Sequence, residues 1–233
     1  MRSLIFDSST VITLAMNNLL WMLKPLRKRF KGEFYIPLSV KKEIVDVPMN
    51  SKKFKFEAMQ VLKVIDEGDL KVFDDSKYKG KVNSILKSVN RIYHGKKKRL
   101  KVLHEAEIAA LVLAKELKSD AVVIDERTTR MLVETPLELG KLLMRKMHRD
   151  VEVDEKELKL FLDEFKGIKV IRSVELGVVA YELGLLDDYL IRNGRKRKEL
   201  RKDLLDALLW GVKLRGCAIS VEEINSILAI ERV

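Results

Sequence analysis

At 233 residues with a formal net charge of +11, the chain is long enough to bury a substantial core as one elaborated domain or one and a half. Its lone cysteine, Cys217, excludes a disulfide framework and a zinc ribbon, which argues for a cytoplasmic protein. Asp7 interrupts the first apolar run and Thr13, Asn17 and Asn18 interrupt the next, so a soluble chain without a secretory or membrane-spanning segment is expected. Charged residues at 35% and a single glutamine, Gln60, fit the composition of a thermophile.

In chain order, Ser3-Leu4-Ile5-Phe6-Asp7 reads as a short buried parallel strand, followed by the helix-starting Ser8-Ser9-Thr10. Ile36-Pro37 precedes a short helix carrying Glu43. Amphipathic segments are predicted over residues 52–66 and 82–93, with a strand at 70–73 between them. A nearly all-apolar helix opens at Glu105. Ala121-Val122-Val123-Ile124-Asp125 then repeats the design of the first strand, with Glu126-Arg127-Thr128-Thr129-Arg130 behind it. Further helices are expected at 136–147 and 155–165, a fifth strand at 168–173, a helix over 174–185 and helical segments at 204–210 and 220–228. There is no internal repeat and no Gly/Ser-rich linker.

Four acids stand where an open α/β sheet would gather them: Asp7, Glu43, Glu105 and Asp125. Ligands of parallel sheets bind beyond the carboxyl ends of strands, where strand order reverses, and both aspartates end strands. An aspartate between strand and helix also serves as an ordinary N-cap. Glu43 lies three residues after Val40 and four before Val47, on an apolar stripe where an unpaired carboxylate is costly. Glu105 is favoured in a first turn by the helix dipole as well. Glu107 points about 200° around the helix from Glu105 and ranks second to it. His94, His104 and His148 lack metal-ligand spacing.

Phe6-Asp7-Ser8-Ser9, Ile36-Pro37 followed by Glu43, Glu105-Ala106-Glu107-Ile108-Ala109-Ala110 and Ile124-Asp125-Glu126-Arg127 together resemble the PIN domain nucleases. The resemblance covers about the first 135 residues with a gap and resumes near Ile168. It implies an α/β fold with an open parallel sheet in strand order 3-2-1-4-5 between helices. It also implies acids that bind Mg²⁺ or Mn²⁺ and cleavage of single-stranded RNA, or DNA in some relatives, leaving a 5′-phosphate and a 3′-hydroxyl. On this reading residues 1–233 form one elaborated domain, with an expanded helical segment at 47–102, inserted helices at 134–167 and a C-terminal helical extension at 186–233. These additions would shape the pocket to a folded RNA, finish the core or provide a homodimer surface.

Hard carboxylate oxygens suit Mg²⁺ or Mn²⁺ better than zinc. A divalent ion would relieve the repulsion among the four acids and activate water for in-line attack on a phosphodiester. Asp7 and Asp125 are the expected direct ligands. Glu43 and Glu105 would bind directly or through water, Ser9 would orient a carboxylate, and Glu126 would assist or replace Asp125. Basic clusters at Lys96, Lys97, Lys98, Arg99 and Lys101 and at Arg195, Lys196, Arg197 and Lys198 are expected to contact RNA phosphates; the alternative is a solvated face. Aromatic residues stand only at their edges, Tyr93 and Tyr189, so base stacking is not strongly expected there. Trp21 and Trp210 read as packing residues.

Other enzyme classes fit less well. A haloacid-type phosphotransferase wants an acid where Ser9 stands, and neither a P-loop nor a dinucleotide fingerprint follows the first strand. Two alternatives remain: a non-catalytic RNA-binding or ribosome-assembly factor on the same fold, and a toxin ribonuclease paired with an antitoxin.

Overall fold

The structure is a computed structural model that describes residues 2–95, 98–148, 150–190 and 194–231, with Lys98 described by its backbone. In chain order, β1 (Ser3–Phe6) leads into α1 (Ser8–Met16), and a 3-10 turn (Leu20–Met22) and α2 (Leu23–Phe30) return the chain to β2 (Glu33–Pro37). Then come α3 (Leu38–Lys41), a π turn (Lys42–Asp46), α4 (Val47–Met49), α5 (Lys55–Asp66), β3 (Lys71–Phe73) and α6 (Lys79–Ile92). The middle of the chain forms β4 (Tyr93–Gly95), β5 (Lys98–Arg99), α7 (Glu105–Glu116), β6 (Ala121–Val123), α8 (Arg127–Glu134) and α9 (Pro136–Met147). The last part forms β7 (Glu152–Val153), α10 (Glu155–Glu164), β8 (Val170–Ile171), α11 (Ser173–Glu182), α12 (Arg197–Leu214) and α13 (Val221–Ile230).

Five parallel strands make the central sheet in the order β3-β2-β1-β6-β8. This differs in detail from the expected 3-2-1-4-5, because β4, β5 and β7 intervene in the chain and pair separately as an antiparallel sheet, β5-β4-β7. Those strands are two or three residues long, too short to show an alternating pattern in the sequence. The chain builds outward from β1 through β2 to β3 and then returns to β1's other side as β6. The order therefore reverses between β1 and β6, the two strands whose ends carry Asp7 and Asp125.

Both faces of the sheet are covered by helices, which is why its strands are apolar throughout rather than alternating. Leu4, Phe6, Phe34, Ile36 and Val123 face one core, closed by α1, α2, α5 and the C-terminal helices. Ile5, Val122 and Ile124 face the other, closed by α6, α7 and α10.

The two mid-chain additions pack on each other. α6 lies against α7 and α10, β4 pairs with β7, and the hydroxyl of the fully buried Tyr93 donates to the Pro136 carbonyl at 2.8 Å. The segment 47–102 thus carries α4, α5 and α6 together with β3 of the central sheet and the paired strands β4 and β5. The C-terminal helices finish the first core through Leu205, Leu209, Val212 and Ile224. A Cβ at Gly216, whose φ is +145°, would collide with the Thr13 hydroxyl; only glycine lets the α12–α13 turn come this close to α1.

Candidate functional site at the β1–β6 edge

Phe6 and Val123 are paired in register, and the next residue's backbone N–H, that of Asp7, donates to the Val123 carbonyl at 3.0 Å. The two strand ends thus stay together one residue past the ladder. Asp7 is 1% exposed and Asp125 0%.

Asp7 is the N-cap of α1. Its Oδ2 accepts from the Ser9 backbone N–H at 3.1 Å and from the Ser9 hydroxyl at 2.6 Å. Burial pushes its carboxyl above the usual carboxylate range, the Ser9 hydrogen bonds oppose that, and the Glu43 charge adds to it. With its one hydrogen given to Asp7, the Ser9 oxygen accepts from the backbone N–H groups of Asp125 at 3.0 Å and Glu126 at 3.2 Å. This hydroxyl therefore fastens the end of β1 to the end of β6.

The neighbouring Ser8 hydroxyl donates to Glu43 Oε2 at 2.9 Å. Glu43 itself is exposed, which corrects the expectation of a carboxylate on a packing stripe. The cause is the π turn at Lys42–Asp46. The wider turn places Ile44 and Val45 in the core beside Val40, while Glu43 and Val47 turn outward; such turns recur where a helix must present a particular side chain.

Of the two acids in the first turn of α7, Glu107 is the half-buried one and the one whose proton affinity the Asp7 charge raises. Its Oε2 accepts from the backbone N–H of His104, the N-cap residue, at 2.6 Å, and the Thr129 hydroxyl lies against it. Burial, then the charges of Asp7 and Glu126, push its pKa up to about 8. Glu105 is exposed and lines an adjoining cleft together with Glu43, Lys42 and Lys101. A local constraint sets the two apart: the capping position, three residues past His104, turns Glu107 back onto the His104 backbone.

Glu126 caps α8, its Oε2 accepting from the Thr129 N–H at 2.7 Å and hydroxyl at 3.1 Å. Asp125 faces the other way. Its Oδ1 accepts from the Ser173 N–H at the start of α11 at 2.7 Å, while Oδ2 is buried with no hydrogen-bond partner. The C-terminal turn closes over it. The Ala218 N–H donates to the Asp125 carbonyl at 3.2 Å, and Arg172 and Arg130 each donate to the Ala218 carbonyl at 3.2 Å. Arg172 also binds Glu175 at 2.6 Å and Glu223 at 2.8 Å. Burial and the Asp125 charge push the Cys217 thiol up to about 12, so it is no nucleophile. The Arg172 clasp could not be read from the sequence, because its parts lie far apart in the chain.

Among the described residues, no group of three or more His, Cys, Asp or Glu side chains converges as a metal cage. The charges of Asp7 and Glu126 raise the proton affinity of Glu107, but hydroxyls and backbone N–H groups engage all three carboxylates. The donor chemistry still fits a hard cation: carboxylates only, with one buried oxygen, Asp125 Oδ2, left open. The histidines stay apart, His94 3.7 Å from Glu152, His104 at the N-cap of α7 and His148 ending α9.

The basic clusters differ. Lys96, Lys97 and the Lys98 side chain lie outside the described residues; Arg99 is exposed on β5 and Lys101 reaches the cleft. In the second cluster Arg195 is held by Asp203 at 2.6 Å and Arg197 by Asp187 at 2.7 Å, while Lys196 and Lys198 are exposed. Trp21 is 40% exposed rather than buried, whereas Trp210 packs against the core. No helix of the described residues is long and apolar enough to cross a membrane. No protein-family model matches the chain, and no curated protein or solved structure was found to be significantly similar to it.

Proposed function

We propose that the β1–β6 edge is the active site of a PIN-like, cytoplasmic endoribonuclease that hydrolyses phosphodiester bonds of single-stranded RNA with Mg²⁺ or Mn²⁺. The observation that carries this reading is that Asp7, Glu107 and Glu126 stand on elements that come together where strand order reverses, with burial first and the charges of Asp7 and Glu126 next pushing Glu107 up to about 8. Asp7 and Glu107 would hold the ion; Asp125, turned toward the start of α11, would join them only through its unpartnered Oδ2. When bound, it would supply Lewis-acid stabilisation of the phosphoryl oxygens and a more acidic water. Ser9 keeps Asp7 oriented, Glu43, steadied by Ser8, stands toward the cleft, and Glu105 and Lys101 line the path by which a strand would enter.

The second reading is an RNA-binding assembly factor that does not cut. It is favoured by one specific fact: the acids are already satisfied as helix caps, and no cage of three or more is assembled among the described residues. Incubation of labelled single-stranded RNA with Mn²⁺, Mg²⁺ or EDTA, using the native chain and the Asp7→Asn and Asp125→Asn variants, separates the two. Metal-dependent cutting lost in both variants supports the nuclease. RNA binding without cutting, unchanged by either substitution, supports the assembly factor.

A further inference from the structure

Lys52-Lys53-Phe54-Lys55-Phe56 joins α4 to α5 and has no part in the site described above. Both rings stand in water, Phe54 45% and Phe56 69% exposed, and the three lysines are exposed with them. Phe54 adopts a left-handed backbone, φ 62° and ψ 16°. That conformation is rare for a bulky side chain and is retained where it presents something. The Lys53 ammonium lies 4.7 Å from the centre of the Phe54 ring. The segment also continues the candidate site: α4 and α5 pack on the π turn that carries Glu43, and Val47, which begins α4, lines the same cleft as Glu43, Glu105 and Lys101.

We infer that this segment is a base-stacking step for single-stranded RNA, Phe54 and Phe56 receiving base faces while Lys52, Lys53 and Lys55 hold the phosphates. The inference rests on the ribonuclease reading and adds where the strand lies outside the cleft. The alternation of aromatic and basic side chains matches the alternation of base and phosphate along a single strand, and stacking on phenylalanine accepts any base. A second copy of the chain would have to bury three lysines beside the rings, with no acid between Asn50 and Phe56 to receive them. An anionic lipid surface shares the charge but not the alternation of rings and cations, and phosphatidylserine vesicles distinguish it.

The test is fluorescence anisotropy of an end-labelled single-stranded RNA of about 12 nucleotides, within the length such sites cover, with the full chain in EDTA so that cutting cannot intervene. Phe56→Ala is expected to weaken binding by about 5- to 100-fold, Phe56→Leu similarly, and Phe56→Tyr hardly at all, the last also serving as the folding control. Changing the three lysines to glutamine should reduce the slope of log affinity against log salt by about 2. Equal affinity of the native, Phe56→Ala and Phe56→Leu proteins would overturn the inference. So would a light-scattering mass halved by Phe56→Ala, or phosphatidylserine vesicles whose binding needs Phe56 while RNA binding does not. A native chain with no affinity for RNA sinks the ribonuclease reading and this inference together; a native chain that binds and cuts RNA with the Phe56 variants unchanged sinks this inference alone.

Discussion

Asp7 and Asp125 end adjacent strands of the same sequence design, yet they occupy different surroundings. Asp7 is turned among side chains that carry protons and charge, Ser8, Ser9, Glu43 and Glu107. Asp125 is turned into the frame, where it caps α11 and lies beneath a turn fastened by Arg172. A buried carboxylate is costly unless hydrogen bonds or ions compensate it. Asp125 has the start of α11 for one oxygen, while Asp7 relies on two serines and retains a raised proton affinity. The lesson is that a strand-end aspartate is assigned its part by what packs above it: α7 over one, the C-terminal extension over the other.

The sharpest way to break this contrast is Asp7→Asn. RNA cleavage should fall by about 10²- to 10³-fold, the scale of losing one charge-stabilising group, in a gel assay with Mg²⁺. The fold should hold or gain stability without metal. The sign follows from the raised pKa: Asp7's contribution is fully present below its unfolded value and lost as pH rises through its folded one, so above the unfolded value burial of this carboxyl opposes folding. A large loss of melting temperature would instead make Asp7 part of the frame, as Asp125 is.

Arg172→Met tests the other side. It leaves Glu175, Glu223 and the Ala218 carbonyl without their guanidinium and should cost about 2 kcal/mol in urea unfolding, discounted because both glutamates are partly exposed. Ser9→Ala should cost about 1–2 kcal/mol, since it unlinks Asp7 from the backbone of Asp125 and Glu126 at once. Cleavage should fall by about 10- to 100-fold, as when the partner that orients a ligating carboxylate is removed.

A further test is a pH dependence. Glu107 titrates near 8 in the folded chain against 4.5 for the ordinary group. Its contribution to stability is complete below about 4.5 and disappears as pH rises through about 8. Unfolding curves in EDTA should therefore show stability declining across that window, and Glu107→Gln should flatten the decline. Mg²⁺ that binds beside Glu107 should flatten it too, by favouring the ionised form; no effect of Mg²⁺ would exclude Glu107 as a ligand.

By itself, the sequence determined the two strands that end in aspartate and most of the longer helices, but not the short strands β4, β5 and β7. Short apolar runs ending in aspartate specify buried parallel strands, and amphipathic periodicity specifies the helices, because both follow from side chains near one another in the chain. It also marked Ser9 as the hydroxyl that orients a carboxylate, which the spacing from Asp7 makes a local matter. Only the tertiary structure decided that Glu107 rather than Glu105 is drawn out of solvent into the field of Asp7, because that depends on how the capping turn at His104 is set. Glu43 turns outward because a π turn, which leaves no periodic signature, shifts its face. The pairing of Arg195 and Arg197 with Asp203 and Asp187, and the hold of Arg172 over Asp125, were equally out of reach. A charge read along the chain is free until folding supplies its partner, and those partners come from elements that only packing brings together.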